Sequence, residues 1–170
     1  MGIEYFTVII FIIGLLLGSF VNVIIYRVPL SKSIVSPPST CTSCGTRLKP
    51  TDLIPVFSWF FLRGKCRYCK EPVSFRYPLV ELIYALVFTV IYIKFGLSAS
   101  FLAYAFLMLI LTAIFFIDLE YMIIPNGLVI VGLIGGAIVF IYNIFRPGEF
   151  LYGDNSWWTP IAGMFSASVL

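Results

Sequence analysis

The chain has 170 residues, of which 61% are hydrophobic and 11% charged, with a mean hydropathy of +1.04, a net charge of +3 and no histidine. Soluble domains carry about 25% charged residues and are at most about half apolar, so an ordinary soluble fold is excluded and a lipid bilayer is the solvent for much of the chain. So small a net charge leaves no general basic field, and no nucleic-acid partner is expected.

The apolar residues fall into long runs. Residues 5–26 form an uncharged stretch of 22, enough at about 1.5 Å per residue to cross a hydrocarbon core of about 30 Å. A cleaved signal peptide is the competing reading, but only Glu4 precedes the run and no small-residue cleavage site follows it. Further spans are expected at residues 77–93, 97–117 and 127–145, the first two joined by a short turn around Phe95, Gly96 and Ser98. Residues 146–160 read as a wet loop returning to an aromatic belt at Trp157 and Trp158. After Pro160 only ten residues remain, about 15 Å of helix, so the expectation is a partial fifth helix and a chain truncated inside it. The expected fold is an all-α polytopic membrane protein of four complete transmembrane helices plus that partial fifth. Its divisions are 1–26 (first helix), 27–76 (a cytoplasmic loop) and 77–170 (the remaining membrane region).

Nine of the eleven Lys and Arg residues lie between Arg27 and Arg76. The excess of positive charge beside the spans places that loop in the cytoplasm and the N-terminus outside, with residues 118–126 returning to the cytoplasmic face. The same loop holds every cysteine, as Cys41-Thr-Ser-Cys44 and Cys66-Arg-Tyr-Cys69 separated by 21 residues. Paired C-x2-C turns at this spacing are the pattern of four-thiolate zinc knuckles, a closed structural Zn2+ site rather than a catalytic one. Disulfides are the alternative, disfavoured by a reducing cytosol. Gly45 and Lys70 stand where the chain must bend around the metal.

Within the spans, Gly14 with Gly18 and Gly132 with Gly136 make G-x-x-x-G faces suited to close helix packing. Asn22 extends the first face and is a candidate functional residue, whereas Glu81 is expected to pair with a basic loop residue such as Arg76. Asp118 differs, because it closes a 21-residue uncharged run at the membrane boundary, followed by Glu120 and the helix-breaking Ile124-Pro125-Asn126. An ionisable residue there is a functional candidate by default.

Taken together, Gly18-Ser19-Phe20-x-Asn22-Val23 with Arg27 and Pro29, Pro37-Pro38-Ser39 before Cys41, Pro55 with Ser58-Trp59, Leu62-Arg63-Gly64-Lys65-Cys66-Arg67-x-Cys69, Arg76-Tyr77-Pro78-x-x-Glu81, and Asp118 with Ile124-Pro125-Asn126 resemble the bacterial type IV prepilin peptidases, in order over residues 14–126. The resemblance implies a bifunctional enzyme of the cytoplasmic (inner) membrane. It would remove the basic leader from type IV prepilins or pseudopilins, in pilus assembly or protein secretion, and then methylate the new N-terminus with S-adenosylmethionine. It further implies an aspartic peptidase of the G-x-G-D type with Asp118 as one catalytic residue. No G-x-G-D occurs in the 170 residues; Tyr152-Gly153-Asp154 lacks the first glycine and falls, by crossing count, on the opposite face from Asp118. The chain alone is therefore expected to be inactive as a peptidase. A membrane-anchored zinc adaptor without enzymatic activity, or a transporter using Asp118 and Asn22, are the other readings.

Overall fold

A computed structural model describes residues 2–145, and the wet loop and partial fifth helix expected beyond Phe145 lie outside them. Among the described residues the regular structure is helical: α1 (Gly2–Arg27), α2 (Phe57–Phe61), α3 (Arg76–Phe95), α4 (Ala99–Tyr121) and α5 (Asn126–Phe145), with a 3-10 turn at Pro50–Leu53. Four of these, α1, α3, α4 and α5, are long and apolar enough to cross a membrane, as expected from the four apolar runs. The fold is that of an all-α polytopic membrane protein.

The turns follow local chemistry. Gly96, at φ +60°, closes α3 in a conformation that costs glycine little, and the Ser98 side chain accepts the Phe101 amide to open α4. Helix α4 runs four residues past the apolar stretch, because no breaker intervenes until Met122 turns left-handed at φ +52° and Pro125 restricts the residue before it. Asp118 and Glu120 therefore sit in the last turn of a helix rather than in a loop, and the Asp118 carbonyl accepts the Met122 amide.

Helix α1 packs chiefly along α3 and also on α4, while α5 rests mainly on α4. The seam is lined by Val21, Ile24, Ile25, Val80, Tyr84 and Ile117, all buried. Tyr84 keeps its hydroxyl in this apolar layer by donating to the Ala105 carbonyl of α4 at 3.0 Å. Close approach of α1 to α3 depends on Gly14 and Gly18, where a Cβ would lie 2.8 Å from the Ala85 Cα and 2.7 Å from the Glu81 Cα. The first G-x-x-x-G face is thus a packing face. The second is only half so. Gly132 meets Ile110 and Gly136 meets nothing within 4 Å, whereas Gly135, one residue before it, lies against the Phe106 ring. A spacing of four cannot tell which of two adjacent glycines faces the neighbouring helix.

Gly18→Ala forces backbone against backbone and is expected to cost about 1–3 kcal/mol, seen as a lower Tm in detergent. Gly136→Ala, in open space, should leave the Tm unchanged.

Candidate functional site

The segment between α1 and α3 is too short and polar to build a core of its own. It is organised as two matching knuckles. In the first, the Cys41 amide donates to the Thr46 carbonyl and the Gly45 amide to the Cys41 carbonyl, with a bridge between Thr40 and Arg47. In the second, Cys66 donates to Glu71 and Lys70 to Cys66, with a bridge between Lys65 and Pro72. The bends fall where expected, at Gly45 (φ +70°) and Lys70 (φ +63°).

The knuckles bring the four cysteines together, with all sulfurs within 4.8 Å of one another and Cys41 Sγ 3.9 Å from Cys69 Sγ. Four thiolates at about 2.3 Å from one Zn2+ stand about 3.8 Å apart along the tetrahedron's edges, so the cluster fits such an ion. All four are free cysteines. Hydrogen bonding to Thr46 draws the Cys44 thiol down to about 6. Cys69, although the Glu71 amide favours its thiolate, is pushed up to about 12 by withdrawal from water and by the neighbouring thiols. Cys66 is drawn down like Cys44, by the backbone amides of Cys69 and Tyr68, so these two thiolates are favoured while Cys69 resists ionising beside them, a conflict that a bound dication removes.

Around this centre the structure adds contacts with no signal in the spacing. Asp52, in the 3-10 turn, accepts from Arg67 Nε at 2.5 Å, from the Tyr68 hydroxyl at 2.9 Å and from the Lys49 amide at 3.1 Å, latching the second knuckle to the middle of the loop. Withdrawal from water raises the Asp52 carboxyl, but Arg67 and these donors outweigh it and hold it below the usual carboxylate value. Its contribution to stability is therefore complete above about pH 4 and is lost only as pH falls through the lowered value. Trp59 donates its indole N–H to the Val73 carbonyl at 2.9 Å and lies on Gly64, where a Cβ would meet its ring at 2.8 Å. The glycine of Arg63-Gly64-Lys65 is the trace this packing leaves in the sequence.

The loop is fastened to the membrane helices through two motifs 55 or more residues apart. Ser19 hydrogen-bonds Glu81, and Asn22 donates its side-chain N–H to the Tyr77 carbonyl at 2.9 Å. Buried Glu81 accepts the Val56 amide at 2.7 Å, holding a β-branched residue at φ +61°. The expected pairing of Glu81 with a basic loop residue is corrected here. Arg76 instead forms its ion pair with Glu120 of α4, because Glu81 lies more than a turn further along α3, facing α1 and the returning loop. Asp118 is exposed, two residues before Glu120 on the same helix end. It is not brought into contact with the cysteine centre.

Such a site defines a polytopic helical membrane protein whose tetracysteine cluster is clamped to the ends of its spans. The profile of the Bacterial Peptidase A24 N-terminal domain matches residues 12–95. A prepilin leader peptidase/N-methyltransferase of Myxococcus xanthus (strain DK1622) is 43% identical over 136 residues, covering 79% of this chain and 41% of the relative. One from Bacillus subtilis (strain 168) is 39% identical over 155 residues, covering 91% and 59%, and one from Pseudomonas putida is 33% identical over 165 residues, covering 84% and 57%. This chain belongs to the prepilin leader peptidase family and spans about half the length of these relatives. No solved structure matches it.

Gly45 has nothing within 4 Å of a Cβ position, so Gly45→Ala tests backbone strain alone. It should destabilise the first knuckle by about 1–2 kcal/mol, whereas Lys70→Gly should stabilise the second. Hydrogen exchange of residues 40–47 and 65–72 reads both.

Proposed function

We propose that this chain forms the zinc-holding and first-aspartate part of a membrane aspartic endopeptidase that removes the basic leader of type IV prepilins or pseudopilins. The relatives' names add an N-methyltransferase activity, which we read as methylation of the new N-terminus with S-adenosylmethionine. The division is an anchoring helix over 1–26, a zinc loop over 27–76 and a peptidase region from 77 onward. The positive charge of the loop supports a cytoplasmic position for it and for Asp118, and an outside N-terminus, in the bacterial inner membrane. Cys41, Cys44, Cys66 and Cys69 are the zinc ligands. The ion organises the loop and, when bound, supplies structural charge balance only, since four thiolates leave no open position.

The observation that carries the peptidase reading is the placement of Asp118, exposed in the last turn of an apolar span immediately before a broken turn. A prepilin has a basic leader for the cytosol and an apolar helix for the bilayer, so the bond to be cut lies at such an edge. Hydrolysis by paired carboxylates needs one ionised group to draw a proton from the attacking water. The second, protonated group donates to the carbonyl oxygen and then to the leaving amine. Two adjacent carboxyls share one proton in this way because both cannot ionise cheaply. Asp118 supplies one of them, and the 170 residues contain no G-x-G-D to supply the other. The adaptor and transporter readings gain no specific support, since the Asn22 side-chain N–H is bonded to the Tyr77 carbonyl and Asp118 is exposed at a helix end.

Elemental analysis is expected to give one zinc per chain, and Cys66→Ser to lose it while the helices stay inserted; metal-free protein with oxidised cysteines would overturn the zinc site. In an enzyme joining these residues to a second aspartate, Asp118→Asn should lower leader removal by about 10³-fold or more, and the 170 residues by themselves should not cleave a prepilin. Processing at a near-normal rate by the Asp118→Asn enzyme would remove Asp118 from the mechanism.

A further inference from the structure

Between the zinc loop and the ends of α1, α3 and α4 lies a cavity of about 600 Å³. That is within the range of small-molecule sites, about 300–1,000 Å³, and far too small for a pilin helix. Its walls are zwitterionic. Arg27, Lys65, Arg67 and Arg76 are met by Asp52, Glu71, Glu81 and Glu120, so the lining selects neither a cation nor an anion outright.

Two buried polar atoms at this cavity have no protein partner, the Asn22 Oδ1 and the Arg76 Nε. Asn22 is only 4% exposed, and its amide orientation is settled by the bond from its nitrogen to the Tyr77 carbonyl. The unpaired atoms are therefore one acceptor and one donor. Leaving such groups unsatisfied costs about 1–3 kcal/mol each. A ligand that answers both must present a donor and an acceptor, which an α-amino-acid end does with its ammonium and carboxylate. Tyr26 and Tyr77 also line the cavity, with Lys32 over the first ring and Arg76 over the second. Asp118 does not line it. Residues two apart on a helix are about 200° apart around its axis, so Glu120 faces the cavity while Asp118 serves the other side.

We propose that this cavity is the site of the methyl donor, its amino-acid end held by Asn22, Arg76 and Glu120, on the opposite face of α4 from the peptidase carboxylate. The proposal rests on the N-methyltransferase reading and deepens it. S-adenosylmethionine supplies the zwitterionic amino-acid end that the lining fits. Because Cys41 and Cys66 form part of the wall, the zinc loop closes the site, and donor binding should depend on the metal although the metal touches no donor.

The test is binding, read without turnover, on the zinc-loaded chain in nanodiscs. Labelled S-adenosylmethionine is equilibrated, ultraviolet-crosslinked and mapped by peptide. Label is expected on the peptides holding Tyr26 or Tyr77, with competition by S-adenosylhomocysteine. Arg76→Gln and Asn22→Leu should each weaken binding about tenfold or more, the loss of one charge-assisted or buried hydrogen bond, with zinc content retained as the check on folding. Label confined to other peptides, or binding untouched in folded variants, overturns the cavity assignment and leaves the methyltransferase reading standing. No donor bound at all overturns both. Competition by phosphatidylethanolamine but not by S-adenosylhomocysteine would make the cavity a headgroup site and overturn the proposal.

Discussion

The structure hangs on one carboxylate buried where three segments meet. Glu81 is on α3, its Cα sits where only a glycine on α1 can face it, and its oxygens are taken by Ser19 of α1 and the Val56 amide of the loop. A buried acceptor of this kind is costly unless its bonds are made. That cost is what commits the loop to one position over the helix ends. If Gly18 were larger the helices would separate, and if Val56 lost its acceptor the left-handed backbone there would have nothing to hold it. The same seam then sets the position of Asn22 and Arg76, and through Arg76 the end of α4.

The spans, the Gly96 turn and the cysteine knuckles were legible because each rests on a local rule. A bilayer demands about 20 apolar residues, a tight turn demands glycine, and a tetrahedral ion demands pairs of close thiolates. The rest depends on contacts between distant residues. Arg76 and Glu81 are five apart and looked like partners, yet Arg76 reaches Glu120, 44 positions on, because α3 starts beside the place where α4 ends. Asp52 carries no motif, and its three donors converge only once the second knuckle has folded. In α5 the period of four pointed to Gly136, while the helix rotation presents Gly135 to Phe106. Patterns in sequence report which residue types a fold needs, but rotation about a helix axis is decided by the neighbour.

The two motifs flanking the loop acquire a joint meaning in three dimensions. Gly18, Ser19 and Asn22 occupy one stripe of α1, and Tyr77 and Glu81 the facing stripe of α3. Each polar contact across the stripe saturates a group that lipid could not, so it adds specificity of register to an interface where apolar packing alone would tolerate sliding. A register shift of one turn would move the ends of both helices by about 5.4 Å and pull the knuckles away from the bilayer edge.

That register has a chemical consequence at the end of α4. The helix extends past its apolar stretch by one turn, carrying two exposed carboxylates on opposite sides: Glu120 is ion-paired with Arg76, and Asp118 is on the other side of the helix. Peptide hydrolysis and methyl transfer make opposite demands on a carboxylate. The first needs a group free to exchange a proton with water, and the second is best served by a fixed counter-charge that orients a zwitterion. One helix end can meet both demands only if its two acids are held in different environments. The ion pair with Arg76 provides that difference, so the packing that clamps the cysteine loop to the helix ends also keeps the two proposed chemistries apart.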